Sequence, residues 1–418
     1  MVIISDLSNE IPKGWKIAPL RWYMNCKSGD SLDTSLIEKE AQRSTHNIPV
    51  IGGNGIMGYS ACSNIKNETI SIGRVGALCG NVHYIDYKCW ITDNSLFINR
   101  FKKESIDLKF FSYVLEQLNL NQFSTSTAQP LITGETIKRR KIALPPLSEQ
   151  KKIVSYIQSK VAGIDALIMN KEKMLNLFEE KRQTMITEAV TKGLNPNVKM
   201  KDSGVEWIGE IPEYWNIKKM KYLAQGKMMY GANESAELDD RTLPRYIRIT
   251  DIDQRGQLKE DTFKSLSKEV AAQYPVIKGD ILFARSGATV GKTYHHDSEK
   301  IASFAGYLIR LRARKEYNSK YLYYYTQSSI YKEWIQSILI QATIQNVSAE
   351  KYADLLITIP SLKEMNQIVE YLERIDANIY SSLSLVTEQI QKLKDYRQSL
   401  IYEAVTGKID VRDFEVKA

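Results

Sequence analysis

Arg182-Gln-Thr-Met-Ile186-Thr-Glu188-Ala189-Val190-Thr191 returns near the end of the chain as Arg397-Gln-Ser-Leu-Ile401-Tyr-Glu403-Ala404-Val405-Thr406, 215 residues later. Working back, Ile153-Val154-Ser-Tyr156 matches Ile368-Val369-Glu-Tyr371 at the same offset. So does Ile142-Ala-Leu-Pro145-Pro-Leu147-Ser-Glu149 with Ile357-Thr-Ile-Pro360-Ser-Leu362-Lys-Glu364. The offset then shrinks to 211, where Gly73-Arg-Val-Gly76-Ala-Leu-Cys-Gly80 matches Ala284-Arg-Ser-Gly287-Ala-Thr-Val-Gly291. It shrinks to 200 where Ile11-Pro-Lys-Gly-Trp15-Lys-Ile17 matches Ile211-Pro-Glu-Tyr-Trp215-Asn-Ile217. Solenoid repeats run about 20–50 residues, so this is a tandem duplication of one large unit. The offset changes only between the Trp and Pro anchors, so one scaffold carries two different variable inserts.

Each unit ends in a helix. Residues 148–191 contain no Pro and a single Gly, Gly163. A 4-3 rhythm runs through Ile157, Val161, Ile164, Ile168, Lys171, Leu175, Phe178, Arg182, Met185 and Ala189. The second copy gives Leu372, Asp376, Ile379, Leu383, Val386, Ile390, Leu393, Arg397, Leu400 and Ala404. Such seams predict long helices over 148–192 and 362–406 that pair as a coiled coil, interrupted at Lys171 and Asp376. A helix of 44 residues is about 66 Å long. With only the linker 193–210 between the units, an antiparallel pairing is expected. The interface would use Ile157, Ile164, Leu175, Phe178, Arg182, Leu372, Ile379, Leu383, Ile390 and Arg397. Pro145, Pro146 and Pro360 stop the preceding strands; Ser148 is placed to cap the first helix, and Ser361 with Glu364 fits a capping box.

The remaining segments, 1–147 and 211–361, mix short apolar runs with Gly and Asn turns, as in Ile48-Pro-Val-Ile51 before Gly52 and Gly279-Asp-Ile-Leu-Phe283 before Ser286-Gly287. This predicts an α+β domain in each, with main internal helices at 108–118 and 320–338, and a short tail over 407–418. The 418 residues are 43% hydrophobic and 25% charged, which excludes a disordered chain. No apolar run approaches the roughly 20 residues that span a bilayer, and the first ten residues lack a basic start followed by an apolar core, so neither membrane span nor signal peptide is expected. Cys26, Cys62, Cys79 and Cys89 form no CxxC pair and read as reduced thiols of a cytoplasmic protein. The net charge of +8 permits a polyanionic partner.

Catalytic motifs are tempting but fail on context. Gly53-Asn-Gly55-Ile-Met-Gly58 fits GxGxxG, yet a Ser- and Asn-rich stretch rather than a helix follows it, and it reads as a turn. Gly287-Ala-Thr-Val-Gly291-Lys292-Thr293 has three residues between its glycines where a Walker loop has four. Leu144-Pro-Pro-Leu147 is not the Asn/Asp-Pro-Pro-aromatic signature of amino-methyltransferases. His295-His296 lacks spaced carboxylates and reads as surface or nucleic-acid contact rather than a metal pair. What remains is binding. Basic clusters at 138–141, at Lys218, Lys219 and Lys221, and at Arg310, Arg312, Arg314 and Lys315 suit phosphates. Arg, Asn, Gln and His on Gly-rich turns suit base edges. The candidate contacts are Lys27, Asn54, Arg74, Asn81, His83, Ser126 and Gln129 in the first unit. In the second they are Arg245, Arg248, Arg285, Lys292, His295, Thr343 and Gln345.

The run Lys199-Met-Lys-Asp-Ser-Gly-Val-Glu-Trp207-Ile-Gly-Glu-Ile-Pro212-Glu-Tyr-Trp215 resembles the central signature of type I restriction–modification specificity subunits. Leu144-Pro-Pro-Leu-Ser-Glu-Gln150-Lys-Lys-Ile-Val154, Glu403-Ala-Val-Thr-Gly407-Lys-Ile-Asp410-Val and Gly279-Asp-Ile-Leu-Phe-Ala-Arg285-Ser-Gly-Ala-Thr-Val-Gly291 are similar to other parts of that family. The first copy departs from the start signature, having Ser5-Asp6 before Ile11 and no Trp-Ile-Gly run. The resemblance implies two target-recognition domains, each reading half of a bipartite double-stranded DNA site. The helices would set an unread gap near one helical turn, roughly 34 Å. They would also dock two modification subunits, joined by restriction subunits. It implies no cofactor in this chain, with S-adenosylmethionine, and ATP with Mg, on the partners. A coiled-coil scaffold with two protein-binding heads, or a self-sufficient DNA methyltransferase using Gly53 to Gly58, are the alternatives.

Overall fold

The computed structural model describes residues 11–41, 45–125, 130–253, 256–340 and 346–414. They divide into two compact units: the described residues of 1–171 with those of 388–418, and Glu172–Thr387. The division falls within both long helices.

In the first unit the chain forms β1 (Lys16–Pro19), β2 (Met24–Ser28), β3 (Ile48–Gly52), β4 (Gly55–Ser60), β5 (Thr69–Gly73), β6 (Val82–Ile85), β7 (Trp90–Ile91) and β8 (Ser95–Phe101). Helices α1 (Leu108–Gln117) and α2 (Gly134–Lys138), strand β9 (Lys141–Leu144) and the long helix α3 (Leu147–Lys192) follow. The main sheet has the order β2-β8-β5-β6, all antiparallel; β5 is buried at every position, as a covered central strand must be. A second sheet, β4-β3-β7, contains the parallel pair β3–β7. The Asp107 carboxylate caps α1 by accepting from the Phe110 N–H.

The second unit repeats the plan. Its elements are β10 (Met200–Asp202), β11 (Glu210–Pro212), β12 (Asn216–Lys219), β13 (Met229–Tyr230), β14 (Tyr246–Ile247), α4 (Lys268–Ala271), β15 (Pro275–Val276), β16 (Ile281–Ala284), β17 (Thr293–His295), β18 (Ala302–Phe304) and β19 (Leu308–Leu311). Then come α5 (Ser319–Tyr325), α6 (Ser329–Ile340), α7 (Ala349–Ala353), β20 (Leu356–Ile359) and α8 (Leu362–Val405). The sheet β13-β19-β16-β17 is the counterpart of β2-β8-β5-β6, and β14–β18 is the counterpart of the parallel pair. The third strand differs: β4 adds to β3, whereas β15 adds to β18. The inserts diverge there while the scaffold persists. Within the 193–210 linker, β10 forms a small antiparallel pair with β11.

The repeated anchors have a structural cause. β1 pairs with β9 and β12 with β20, so Lys16 faces Leu144 and Asn216 faces Ile359. Each pair delivers the chain into a long helix. The indole N–H of Trp15 donates to Glu149 at 3.0 Å, and that of Trp215 to Glu364 at 3.1 Å. Each indole also receives the other helix's exit. A Cβ on Gly407 would stand 3.2 Å from the Trp15 ring, and one on Gly193 3.2 Å from the Trp215 ring. Each unit therefore holds the start of one long helix beside the end of the other, antiparallel.

Within each unit the helix seam is apolar with specific polar ties. Ile157, Ile164, Leu372, Ile379, Leu383 and Ile390 are buried; Leu175, Phe178, Arg182 and Arg397 are half-buried. Arg182 Nε lies 2.7 Å from Asp376 Oδ1, and the Tyr324 hydroxyl donates to the same carboxylate at 3.1 Å. In the first unit Arg397 meets Asp165 at 2.9 Å, and Lys171 donates to Gln389 at 2.6 Å. The interruptions at Lys171 and Asp376 are thus paired positions.

Two expectations need correction. The helix expected over 320–338 is two, α5 and α6. Thr326 Oγ1 bonds back to the Tyr323 carbonyl, and Ser328 Oγ accepts from the Tyr331 N–H as a new cap. These hydroxyls compete with the helix backbone and break it. Ser148 is not the cap of α3, because the Pro146 carbonyl already accepts from the N–H groups of Glu149 and Gln150. Ser361 does cap α8, accepting from the Glu364 N–H at 3.2 Å, while the Glu364 side chain is drawn away to Trp215.

Candidate nucleic-acid interface

The Gly-rich turn after the central strand has one geometry in both units. In the first, Gly80 N–H donates to Gly73 O and Gly73 N–H to Asn81 O; in the second, Gly291 N–H donates to Ala284 O and Ala284 N–H to Lys292 O. Gly76 and Gly287 take φ of +83° and +71°, where a side chain would be strained. Arg74 and Arg285 occupy the same place. The Arg74 N–H donates to Asn94 O at 2.9 Å and its carbonyl accepts from Ile132 N–H; Arg285 does the same with Tyr307 O at 3.1 Å and Val347 N–H.

In the first unit the β3–β4 turn stands against this loop. A Cβ on Gly73 would be 2.3 Å from Gly53 O, so only glycine allows the approach. That closeness brings the Asn54 and Asn81 side chains together at 2.9 Å and puts His83 beside Gly55. Burial lowers the His83 pKa, and its Nε2 has no partner among the described residues. Arg74 Nη1 donates to Ser28 Oγ and to Asp93 O. Lys27 is exposed, its amine 5.4 Å from the Phe97 ring centre. In the second unit Arg285 Nε donates to the Asn346 side-chain oxygen Oδ1 at 3.3 Å, and the guanidinium lies 4.7 Å over the Tyr230 ring. Neither Arg74 nor Arg285 forms an ion pair among the described residues, so each half-buried guanidinium keeps its charge for a ligand.

Four other residues chosen from the sequence are engaged in the fold. Arg248 is bonded to the buried Asp251 at 2.7 Å and to Thr262 O. Arg245 pairs with Glu260 and lies over Phe263. Lys292 donates to Ile252 O, and desolvation lowers its pKa. His295 bonds Ser319 Oγ at 3.0 Å and packs on Tyr323. His296 is buried between the Tyr294 hydroxyl and Lys300 O, so of this pair His296 is interior, while His295 is half-buried. Sequence position alone carried no sign of these partners. Ser126, Gln129, Thr343 and Gln345 lie outside the described residues. The neighbours of the two arginines that the sequence reading misses are Ser28, Asn94, Tyr230 and Tyr307; the pairing of β2 with β8 and of β13 with β19 brings them to equivalent places, which no motif marks.

Burial pushes the His295 imidazole down to about 4, with Asp297 and Lys320 near it. Its pKa in the fold is below the unfolded value near 6.5, so its neutral form is the stable one. Stability is complete above about pH 6.5 and falls as pH drops toward 4. The shift corresponds to about 3 kcal/mol at the acid end. Melting curves of wild type and His295→Asn between pH 7.5 and 4.5 should diverge, the wild type losing more. Parallel curves would remove His295 as the cause.

The glycines of 53–58 join two strands, β3 and β4, and those of 287–291 lead into strand β17. The second turn holds only one 3-10 turn, Gly287–Thr289, and neither opens an α-helix, as a loop holding a nucleotide pyrophosphate on a helix N-terminus does. Among the described residues no group of three His, Cys, Asp or Glu side chains is placed to hold a metal ion. No described helix is long and apolar enough to cross a membrane.

The chain carries two copies of a DNA-specificity domain: the model for the type I restriction modification DNA specificity domain matches residues 12–176 and 212–392. It belongs to the specificity subunits of type I restriction–modification systems. It is 26% identical over 314 residues to the type I restriction enzyme MjaVIII specificity subunit of Methanocaldococcus jannaschii, covering 73% of this chain and 70% of that one. A putative type I restriction enzyme specificity subunit of Haemophilus influenzae is 24% identical over 87% of this chain and 90% of its own. In a solved structure described as "complex assembly and conformational transition of the type I R-M system", one chain shares the fold with a TM-score of 0.68. That match has 16% identity and covers 96% of this chain and all of the other.

Proposed function

We propose that each unit reads one half of a bipartite duplex site through its Gly-rich turn, and that partner subunits perform the chemistry. The observation that carries this is the placement of Arg74 and Arg285. They share one backbone site, have no ion-pair partner among the described residues, and are surrounded by different side chains. Equal arginines suit the same kind of contact in both halves; different surroundings suit different sequences.

In this reading two modification subunits supply S-adenosylmethionine and adenine methylation, and restriction subunits supply ATP- and Mg-dependent cleavage, in the cytoplasm. In the second unit helix α3 exposes Met174 and Leu177, neighbours on one helix face and suited to contact with a partner. Sequencing methylated bases in a host making this chain with its modification subunit, against the modification subunit alone, tests the proposal. A new split motif is expected. No motif, together with no duplex affinity of the purified chain, would favour a scaffold instead. Inserting one heptad into α3 alone is expected to change the unread gap or abolish methylation; an unchanged gap would end the spacer role.

A further inference from the structure

Beside each unpaired arginine lies one more exposed side chain at an equivalent backbone position. The residue whose carbonyl accepts from the Arg74 N–H is Asn94, and the one that accepts from the Arg285 N–H is Tyr307. Both stand directly before the strand that flanks the central one, since Gly73 pairs with Ser95 and Ala284 with Leu308. Asn94 is exposed, and its amide has no partner among the described residues. Tyr307 is 64% exposed, next to Gly306. It lines a cavity of about 500 Å³ together with Ala305, Tyr246, Ile249 and Ala236. A large aromatic left in water on a tight turn contributes little to folding.

The surrounding pattern separates the two turns chemically. Ser28, which accepts from Arg74, is replaced at the same place by Tyr230 under Arg285, because Gly29 and Gly231 make the same close approach to a neighbouring backbone. At one arginine the guanidinium meets Ser28 and the backbone N–H meets Asn94; at the other the guanidinium lies over Tyr230 and the backbone N–H meets Tyr307. A side-chain amide bonds adenine in the major groove through N6 and N7, while an apolar surface is matched by the methyl group of thymine. From this placement we infer that Asn94 and Tyr307 are specificity-determining residues. Asn94 reads the base pair next to the Arg74 contact by hydrogen bonding, and Tyr307 reads the one next to the Arg285 contact by apolar contact. The inference rests on the half-site reading proposed above and assigns the residues that make the two halves differ.

The test is methylated-base sequencing with the complete complex. Tyr307→Ala should relax one base pair in the half-site of the second unit, by about 5- to 150-fold in preference, and leave the other half intact. Asn94→Ala should do the same in the first unit's half only. If the wild type gives a split motif and neither variant alters it, this inference falls while the half-site reading stands. If the wild type gives no motif, both fall. Should Tyr307→Ala abolish methylation everywhere, Tyr307→Phe keeps the ring face and must restore the motif; a Phe variant as inactive as the Ala one overturns the assignment.

Discussion

Trp215→Ala is expected to destabilise the second unit by about 3–5 kcal/mol, the range for deleting a fully buried aromatic. Trp215 is completely buried, and three segments converge on it. Its own Ile211-Pro-Glu-Tyr-Trp215 anchor enters the domain there. Its indole N–H donates to Glu364 in the first turn of α8, and its ring faces Gly193 at the exit of α3. Removing it opens a cavity, leaves the Glu364 carboxylate without its indole partner and frees the α3 exit. At 2–4 °C per kcal/mol for a unit of this size, the melting transition should fall by about 10 °C. Trp15→Ala acts on the other unit; Trp15 is 8% exposed, so its loss should be smaller. A Trp215→Ala protein that melts with the wild type would show that the anchor does not hold the helix ends.

What the sequence disclosed and what it hid follow from how far each interaction reaches. The anchors were legible because the same contact is made twice: Trp15 to Glu149 and Trp215 to Glu364 impose the same residues on both copies. The turn arginines were legible for the same reason. The commitments of Arg245 to Glu260, Arg248 to Asp251 and His295 to Ser319 occur once each, in the variable inserts, where no repeat reveals a partner. An arginine beside a turn looks the same in sequence whether a carboxylate neutralises it or not. Asn94 and Tyr307 were hidden because their alignment offset is 213, and no motif surrounds them to fix it. The break between α5 and α6 was hidden because Thr326 and Ser328 read as ordinary helix-surface residues until their hydroxyls turn back on the backbone.

Arg285→Ala is expected to lose about 1–3 kcal/mol of discrimination at one base pair, confined to the half-site of the second unit. The Arg285 guanidinium is half-buried, held over Tyr230 and oriented by Asn346, with no carboxylate partner among the described residues. That environment aligns the fork of donors and leaves it unspent, as bidentate contact with a guanine edge requires. Arg285→Lys should not rescue the motif, because a lysine offers a point charge in place of the planar fork. Arg74→Ala should show the mirror behaviour, relaxing only the other half. Arg248→Ala is the informative control. It strips the partner from the buried Asp251, so it should lower the melting temperature while the methylated motif stays as it was. If Arg285→Ala instead lowers methylation equally at every site with the motif unchanged, Arg285 contacts phosphate, and the base-reading role passes to its neighbours on the turn.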